Sequence, residues 1–218
     1  LKFTNTSHEA NQMIDFYTWG TPNGHKIRIM LEACGFEYQL HRVDILNDEQ
    51  FKPEFLAISP NNKIPAIVDH DGPNGEAISL FETGAILLYL AEKSGQFMPT
   101  EPKAYWQVMQ WLMWQMGGFG PMLGQAHHFN KFAPEPIPYA VDRYCKEAHR
   151  LWGVLDKQLE GRDFVCDQLS IADFAIFPWA NRFEFQKIEP DQYPNVAAYI
   201  ERMKSFDFVS KGLEMPST

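Results

Sequence analysis

Met13-Ile14-Asp15-Phe16-Tyr17-Thr18-Trp19-Gly20-Thr21-Pro22-Asn23-Gly24-His25-Lys26-Ile27-Arg28-Ile29-Met30-Leu31-Glu32-Ala33-Cys34-Gly35 holds a strand, a proline turn and a helix in succession. Met13–Tyr17 alternates as a half-buried strand does. Ile27, Ile29, Met30 and Leu31 then give a helix over 24–34 its inner face, with Gly35 placed to close it. Thr21 and Asn23 therefore stand at a helix N-terminus, where unpaired N–H groups and roughly half a unit of positive charge favour an anion: phosphate, carboxylate or thiolate. Thr, Pro, Asn and Gly are also ordinary turn formers, so the turn alone does not choose between a site and a cap.

Two further segments narrow the ligand. In Ile58-Ser59-Pro60-Asn61-Asn62-Lys63-Ile64-Pro65-Ala66-Ile67-Val68 a proline heads a strand, and Ile64-Pro65 is a candidate cis bond. A bend there leaves the N–H and C=O of Ile64 free to pair with an extended, peptide-like ligand as an added strand would. Ser79-Leu80-Phe81-Glu82-Thr83-Gly84 precedes the helical run Ala85–Ala91. Thr83 reads as its N-cap and Glu82 as a carboxylate beside it, a pair able to grip the α-carboxylate and α-amine of an amino acid. Together the segments describe an amino-acid head, a peptide middle and a thiolate or similar anion.

The surrounding pattern sets the organisation. Residues 37–43 alternate as a second strand. Gln50–Leu56 reads as a short helix interrupted by Pro53, and 64–69 and 77–81 as two strands around the turn Asp71-Gly72-Pro73-Asn74-Gly75. The order is β-α-β-α-β-β-α. Composition shifts to Gly, Pro and polar residues over 94–102, and everything beyond reads helical. The expected division is a flexible polar tail over 1–12, a first domain over 13–95, a linker over 96–102 and an all-helical domain over 103–218. The helix over 103–115 carries Trp106, Met109, Trp111, Leu112, Met113 and Trp114, too many apolar side chains for one exposed helix, so it is expected between domains or subunits. Gly117-Gly118-Phe119-Gly120-Pro121 is expected to kink or break it. Residues 138–160 form a long helix, and Ser170 with Asp173 makes a capping pair ahead of Phe174–Trp179.

With 19 basic and 28 acidic residues the net charge is −9, and there is no long Lys/Arg run, which argues against nucleic acid or an anionic membrane as partner. No apolar segment reaches the roughly 18 residues of a membrane span. Three widely spaced cysteines, Cys34, Cys145 and Cys166, match neither C-x-x-C nor a zinc pattern, so they read as packing residues in a reducing, cytoplasmic setting. Adjacent His127 and His128 point about 100° apart on a helix and lack a third ligand, so they read as a satisfied pair or a pocket wall, with no metal site.

Thr21-Pro22-Asn23-Gly24-His25-Lys26, Pro53-Glu54-Phe55-Leu56, the run Ser59–Asp69 and Gly117–Gly124 resemble the cytosolic glutathione transferases, and more narrowly their bacterial Nu class and fungal Ure2p-like relatives. The resemblance implies α/β plus all-α architecture: a thioredoxin-like N-terminal domain (βαβαββα) followed by an all-helical C-terminal domain, with glutathione as co-substrate and a homodimeric assembly. It implies that Asn23 meets the glutathione sulfur region, that Ile64 pairs with the cysteinyl backbone, and that Glu82 and Thr83 hold the γ-glutamyl end. Gln50 is expected near the glycyl end and Arg143 at a carboxylate. Lys63 and Lys26 are either carboxylate contacts or solvated surface. Thr83 stands where relatives usually carry serine, and the hydroxyl is kept.

In thioredoxin-like relatives that use a protein cysteine, that cysteine falls in the 19–24 turn; here there is none. Any disulfide chemistry then uses glutathione's own thiols, with Thr21 and Asn23 as the catalytic donors and no side-chain general base. Tyr17 lies too early to match the tyrosine of other classes and reads as core. Trp19, Phe119, His128, Phe129 and Trp179 are candidate walls for a hydrophobic or disulfide substrate. Disulfide reduction leads. Conjugation or ether cleavage on aromatic electrophiles needs the same thiolate, and a non-catalytic glutathione-binding scaffold is the contrasting possibility.

Overall fold

The computed structural model describes residues 13–214, and the expectation for the tail over 1–12 lies outside them. Strand β1 (Ile14–Thr18) is followed by α1 (Pro22–Cys34), β2 (Tyr38–Arg42), the short α2 (Pro53–Leu56), β3 (Ala66–Asp69), β4 (Ile78–Phe81) and α3 (Thr83–Ser94). The sheet order is β2-β1-β3-β4. β1 runs parallel to β2 and antiparallel to β3, and β3 antiparallel to β4. This is the thioredoxin-like layout, with β1 interior because Ile14 and Phe16 bury one face.

α1 starts at Pro22, two residues ahead of the expected 24, and ends at Cys34 as expected. Thr21 is its N-cap, with Pro22 at the first turn, where its missing N–H costs nothing, and Gly35 closes it in the left-handed region at φ 69°. The Ile64-Pro65 bond is cis. The start of α3 differs from expectation: Glu82 is the N-cap, at φ 71° and ψ 114°, and Thr83 lies inside the first turn. A non-glycine residue at positive φ costs on the order of 1–3 kcal/mol, a strain that collects at functional positions.

The helical half holds α4 (Pro102–Trp114), α5 (Gly120–His127), α6 (Pro138–Gln158), α7 (Ile171–Ala180), α8 (Pro194–Lys204) and α9 (Asp207–Leu213). The run over 117–121, expected to kink or break the helix, interrupts its α-helical hydrogen bonding without ending the helical path. A π-helical turn over Gln115–Phe119 carries α4 into α5, and a second over His128–Phe132 follows. An inserted residue absorbs Pro121 with the helical path kept. α7 is buried along its whole length and opens with the Ser170–Asp173 capping box. Asp173 accepts from the Ser170 and Val165 amides at 2.9 Å each, so the pair is structural. Helix α1 packs on α3, α7 and α9, joining the two halves through one continuous core.

Candidate functional site

A two-lobed cleft runs along the seam. The polar lobe, about 460 Å³, is lined by Lys26, Phe81, Glu82, Thr83, Gln115 and Met116, among others. The other lobe, about 580 Å³, is lined by Trp19, Phe51, His127, Phe132, Arg182 and Phe185, together with the Thr21 turn and Gln50. Asn23, Lys63, Ile64, Gly124 and Trp179 line both. The junction is the start of α1.

At that junction the Thr21 side-chain oxygen accepts from the Gly24 N–H at 3.2 Å, and the Thr21 carbonyl accepts from His25 at 3.0 Å. Pro22 has no N–H, so the Asn23 N–H is the first unclaimed backbone donor of the helix. No acidic residue in the first turn offsets the positive end. The Trp179 indole donates to Asn23 Oδ1 at 2.9 Å. Because an indole N–H only donates, this bond orients the Asn23 amide and leaves its Nδ2 as a free donor. Trp179 lies against α5 through Gly124, where a Cβ would come within 3.2 Å of the indole ring.

Ile64 precedes the β3 register, so its N–H and C=O stay outside the ladder at the cleft edge. Glu82 is exposed at the rim of the polar lobe. Behind it, Lys26 is fully buried and donates to Thr83 Oγ1 at 3.2 Å and Gln115 Oε1 at 2.7 Å. Burial pushes its ammonium down to about 7, opposed by the negative charge of Glu82. In the other lobe His127 is buried; desolvation, aided by the Arg182 charge, lowers its pKa to about 4. Its Nε2 lies 3.2 Å from the Gln186 amide, so His127 is a neutral, satisfied wall. Burial raises the thiols of Cys34 and Cys166, the latter to about 12, and none of the three cysteines lines either lobe.

Residues 12–92 match the family described as glutathione S-transferase, N-terminal domain, and residues 138–202 the glutathione S-transferase C-terminal domain. Over 195 residues the chain is 53% identical to the disulfide-bond oxidoreductase YfcG of Escherichia coli K12, covering 88% of this chain and 91% of that protein. The chain belongs to the glutathione S-transferase family. A Pseudomonas putida glutathione transferase, crystallised with one glutathione disulfide per subunit, matches with a TM-score of 0.92 at 44% identity, over 96% of this chain and 94% of that one. A family member from Pseudomonas fluorescens Pf-5 with two glutathione bound matches at 0.89 and 45% identity, over 95% of each chain.

Of the residues expected at a transferase site, Thr21, Asn23, Lys63, Ile64, Glu82 and Thr83 meet in the cleft, with Gln50, Trp19, His128 and Trp179 in or beside its second lobe. Arg143 does not join them: it is exposed on α6, in a separate surface hollow with Asp142 and Glu147. Phe119 is fully buried and stacked on Trp114 at 4.8 Å, because the π turn puts it on the inner face with Gln115. Phe129 stacks on Tyr144 of α6 at 5.4 Å, outside the cleft lining. Tyr17 is half-buried and stacks on His41 at 4.6 Å, away from the junction. Sequence reasoning missed Gln115, Met116, Phe132, Arg182 and Phe185, and left Lys26 between surface and site. The first two are brought in by the π turn, and the last three come from segments with no local motif.

Proposed function

We propose that this chain reduces disulfides with two glutathione thiols and no protein cysteine. The reading rests chiefly on the Asn23 amide, fixed by Trp179 with its donor end free where the polar and apolar lobes meet. The first glutathione lies with its γ-glutamyl head at Glu82 and Thr83, its cysteinyl backbone against Ile64 and its sulfur at the Asn23 donors, with Thr21 in the same turn. Gln50 and Lys63 serve the glycyl end. Donors aimed at a sulfur favour the thiolate over the thiol, whose ordinary pKa is about 8.5.

The thiolate attacks one sulfur of the substrate disulfide. An S–S bond forms as the old one breaks, and the other half leaves as a thiolate that takes a proton from water. A second glutathione thiolate attacks the glutathione sulfur of the mixed disulfide, releasing the remaining substrate thiolate and oxidised glutathione. Two electrons pass from two glutathiones to one disulfide. The aromatic walls at Trp19, Phe132 and Phe185 suit an apolar acceptor, and they favour conjugation to aromatic electrophiles as the second reading.

The reaction draws on reduced glutathione and so belongs to a reducing, cytosolic compartment. Trp106 and Met113 of α4 are 65% and 49% exposed, an apolar face that fits a homodimer contact, which sedimentation tests directly. Turnover with glutathione and bis(2-hydroxyethyl) disulfide, run beside 1-chloro-2,4-dinitrobenzene, separates the two chemistries. Faster turnover of the disulfide supports reduction; turnover of the nitroaromatic alone replaces it with conjugation. Failure to bind glutathione in calorimetry removes both.

A further inference from the structure

The apolar lobe holds a positive charge that glutathione binding does not account for. Its lining contains two cations, Lys63 and Arg182, and no carboxylate, in a chain of net charge −9. With Lys63 at the glycyl end of glutathione, Arg182 remains. It stands two residues past α7, where its N–H donates to the Trp179 carbonyl at 3.2 Å. Its guanidinium carbon lies over the Phe185 ring, 4.7 Å from the centroid. Lys131 Nζ lies over the same ring at 3.9 Å, and the Arg42 guanidinium over Trp19 at 4.9 Å. An aromatic wall from each half of the molecule therefore carries a cation. Among the described residues none of Arg42, Lys63, Lys131 and Arg182 forms an ion pair.

The ring beneath Arg182 is held in place from several sides. Gln186, fully buried, accepts from the Trp152 indole at 2.7 Å and donates to the Trp179 carbonyl at 2.8 Å. The Asn130 amide donates to the Phe185 carbonyl at 3.0 Å, tying the second π turn to the same segment. His127 and Phe132 pack edge-on against Phe185, with ring centroids 5.4 and 6.3 Å away. An arginine stacked on an aromatic face uses its π surface for the contact and keeps its N–H donors along the guanidinium edge, in the fork that matches a carboxylate. The hydrogen bonds that Arg182 makes among the described residues run through its backbone, so the fork is unclaimed. Its charge adds to burial in lowering the pKa of His127 and of His25 in the first turn of α1, so its field spans the lobe.

We propose that Arg182 selects the acceptor by charge: the disulfide reduced here carries a carboxylate, which the Arg182 guanidinium receives while a disulfide sulfur meets the thiolate at Asn23. This rests on the reading that a glutathione thiolate at Asn23 attacks a disulfide lying in the apolar lobe. Trp179 sets both ends of that span, since its indole orients Asn23 and its carbonyl accepts from the Arg182 N–H. An apolar stem between sulfur and carboxylate lies along Phe185 and Phe132. In water a carboxylate near a disulfide repels the attacking thiolate, and a protein of net charge −9 repels it further; a cation inside the lobe offsets both. Arg182 neither gives nor takes a proton, and the exchange itself is unchanged. Arg42 and Lys131, both exposed, add to the field at the mouth in a way that salt screens.

Three small disulfides that differ chiefly in charge test this at saturating glutathione: the dianion 3,3′-dithiodipropionate, the neutral bis(2-hydroxyethyl) disulfide and the dication cystamine. Each kcat/KM is divided by the uncatalysed rate constant with glutathione, which removes intrinsic reactivity, and the steps of glutathione itself are common to all three. The wild type should favour the dianion over the neutral disulfide by about tenfold and disfavour cystamine, with the preference shrinking as KCl is raised to about 0.5 M. Arg182→Gln should lower the dianion-to-neutral ratio by about tenfold, and Arg182→Lys, which keeps the charge without the fork, should keep part of it. A wild type with no preference for the dianion overturns the proposal whether or not a variant folds, and so does a preference that Arg182→Gln leaves in place. If glutathione binds and none of the three disulfides turns over above background, disulfide reduction itself fails and this inference falls with it.

Discussion

The two lobes of the cleft differ in what surrounds their polar groups. In the polar lobe Lys26, Thr83 and Gln115 are buried and fixed by mutual hydrogen bonds, beside a Glu82 held in a strained backbone conformation. In the other lobe the walls are Trp19, Phe51, Phe132 and Phe185, two of them more than half exposed, and its buried histidine is neutral and satisfied. Converging buried donors discriminate strongly, because a ligand lacking the right group leaves them unpaired. Apolar walls discriminate by only ~1–3 kcal/mol for a missing methylene. On the proposed function one lobe recognises a constant substrate and the other tolerates a variable one, with Asn23 between them.

Substitution at the junction should break both functions. If Asn23 donates to the charged sulfur as proposed, a bond worth about 1.5–3 kcal/mol is lost in Asn23→Ala, so disulfide turnover under kcat/KM conditions should fall by about 10- to 100-fold while circular dichroism stays unchanged.

Lys26→Met should change how the stability of the ligand-free protein depends on pH. With its ordinary value of 10.5 lowered to about 7 by folding, Lys26 binds fewer protons in the folded than in the unfolded chain between those values. The ligand-free protein therefore gains stability as pH rises from 7 toward 10.5, and bears the full cost below 7. Replacing the ammonium by an apolar side chain should flatten that slope, read as unfolding midpoints against pH.

Trp179→Phe keeps the ring and removes the indole donor, freeing the Asn23 amide to rotate. A loss of about fivefold in kcat/KM is expected, with the pH–rate profile displaced toward alkaline values. The smallest effect belongs to the apolar lobe. Phe132, 59% exposed, should on change to Ala raise the acceptor KM about two- to fivefold, leaving glutathione affinity as it was.

Much of this comparison is written locally in the chain. Thr21 with Pro22, and Ile64 with Pro65, act through backbone geometry over a few residues, so that geometry is legible from spacing, while the roles came from the family resemblance. The α1 cap, the cis bond and the capping box at Ser170 all stand where the sequence indicates. The start of α3 misleads because Thr is a good N-cap by propensity, whereas the cleft places Glu82 there and turns Thr83 inward to Lys26. The glycine-rich run over 117–121 reads as a kink or break, and tertiary packing keeps it helical through a π turn, which brings Gln115 beneath the site and Phe119 into the core. Lys26 reads as surface or ligand contact because helix periodicity alone cannot reveal that α3 and the π turn over Gln115–Phe119 close over it. The bond from Trp179 to Asn23 spans 156 residues and has no sequence signature.

The central claim is that neutral donors at the start of α1 keep a glutathione sulfur ionised. Ultraviolet titration of the protein-bound thiolate near 240 nm, with wild type and Asn23→Ala each saturated with glutathione, tests it most directly. The account predicts a bound thiol titrating below the free value of about 8.5 in the wild type and returning toward that value in the variant. A wild-type midpoint at the free value, or a lowered one that Asn23→Ala leaves in place, would contradict it.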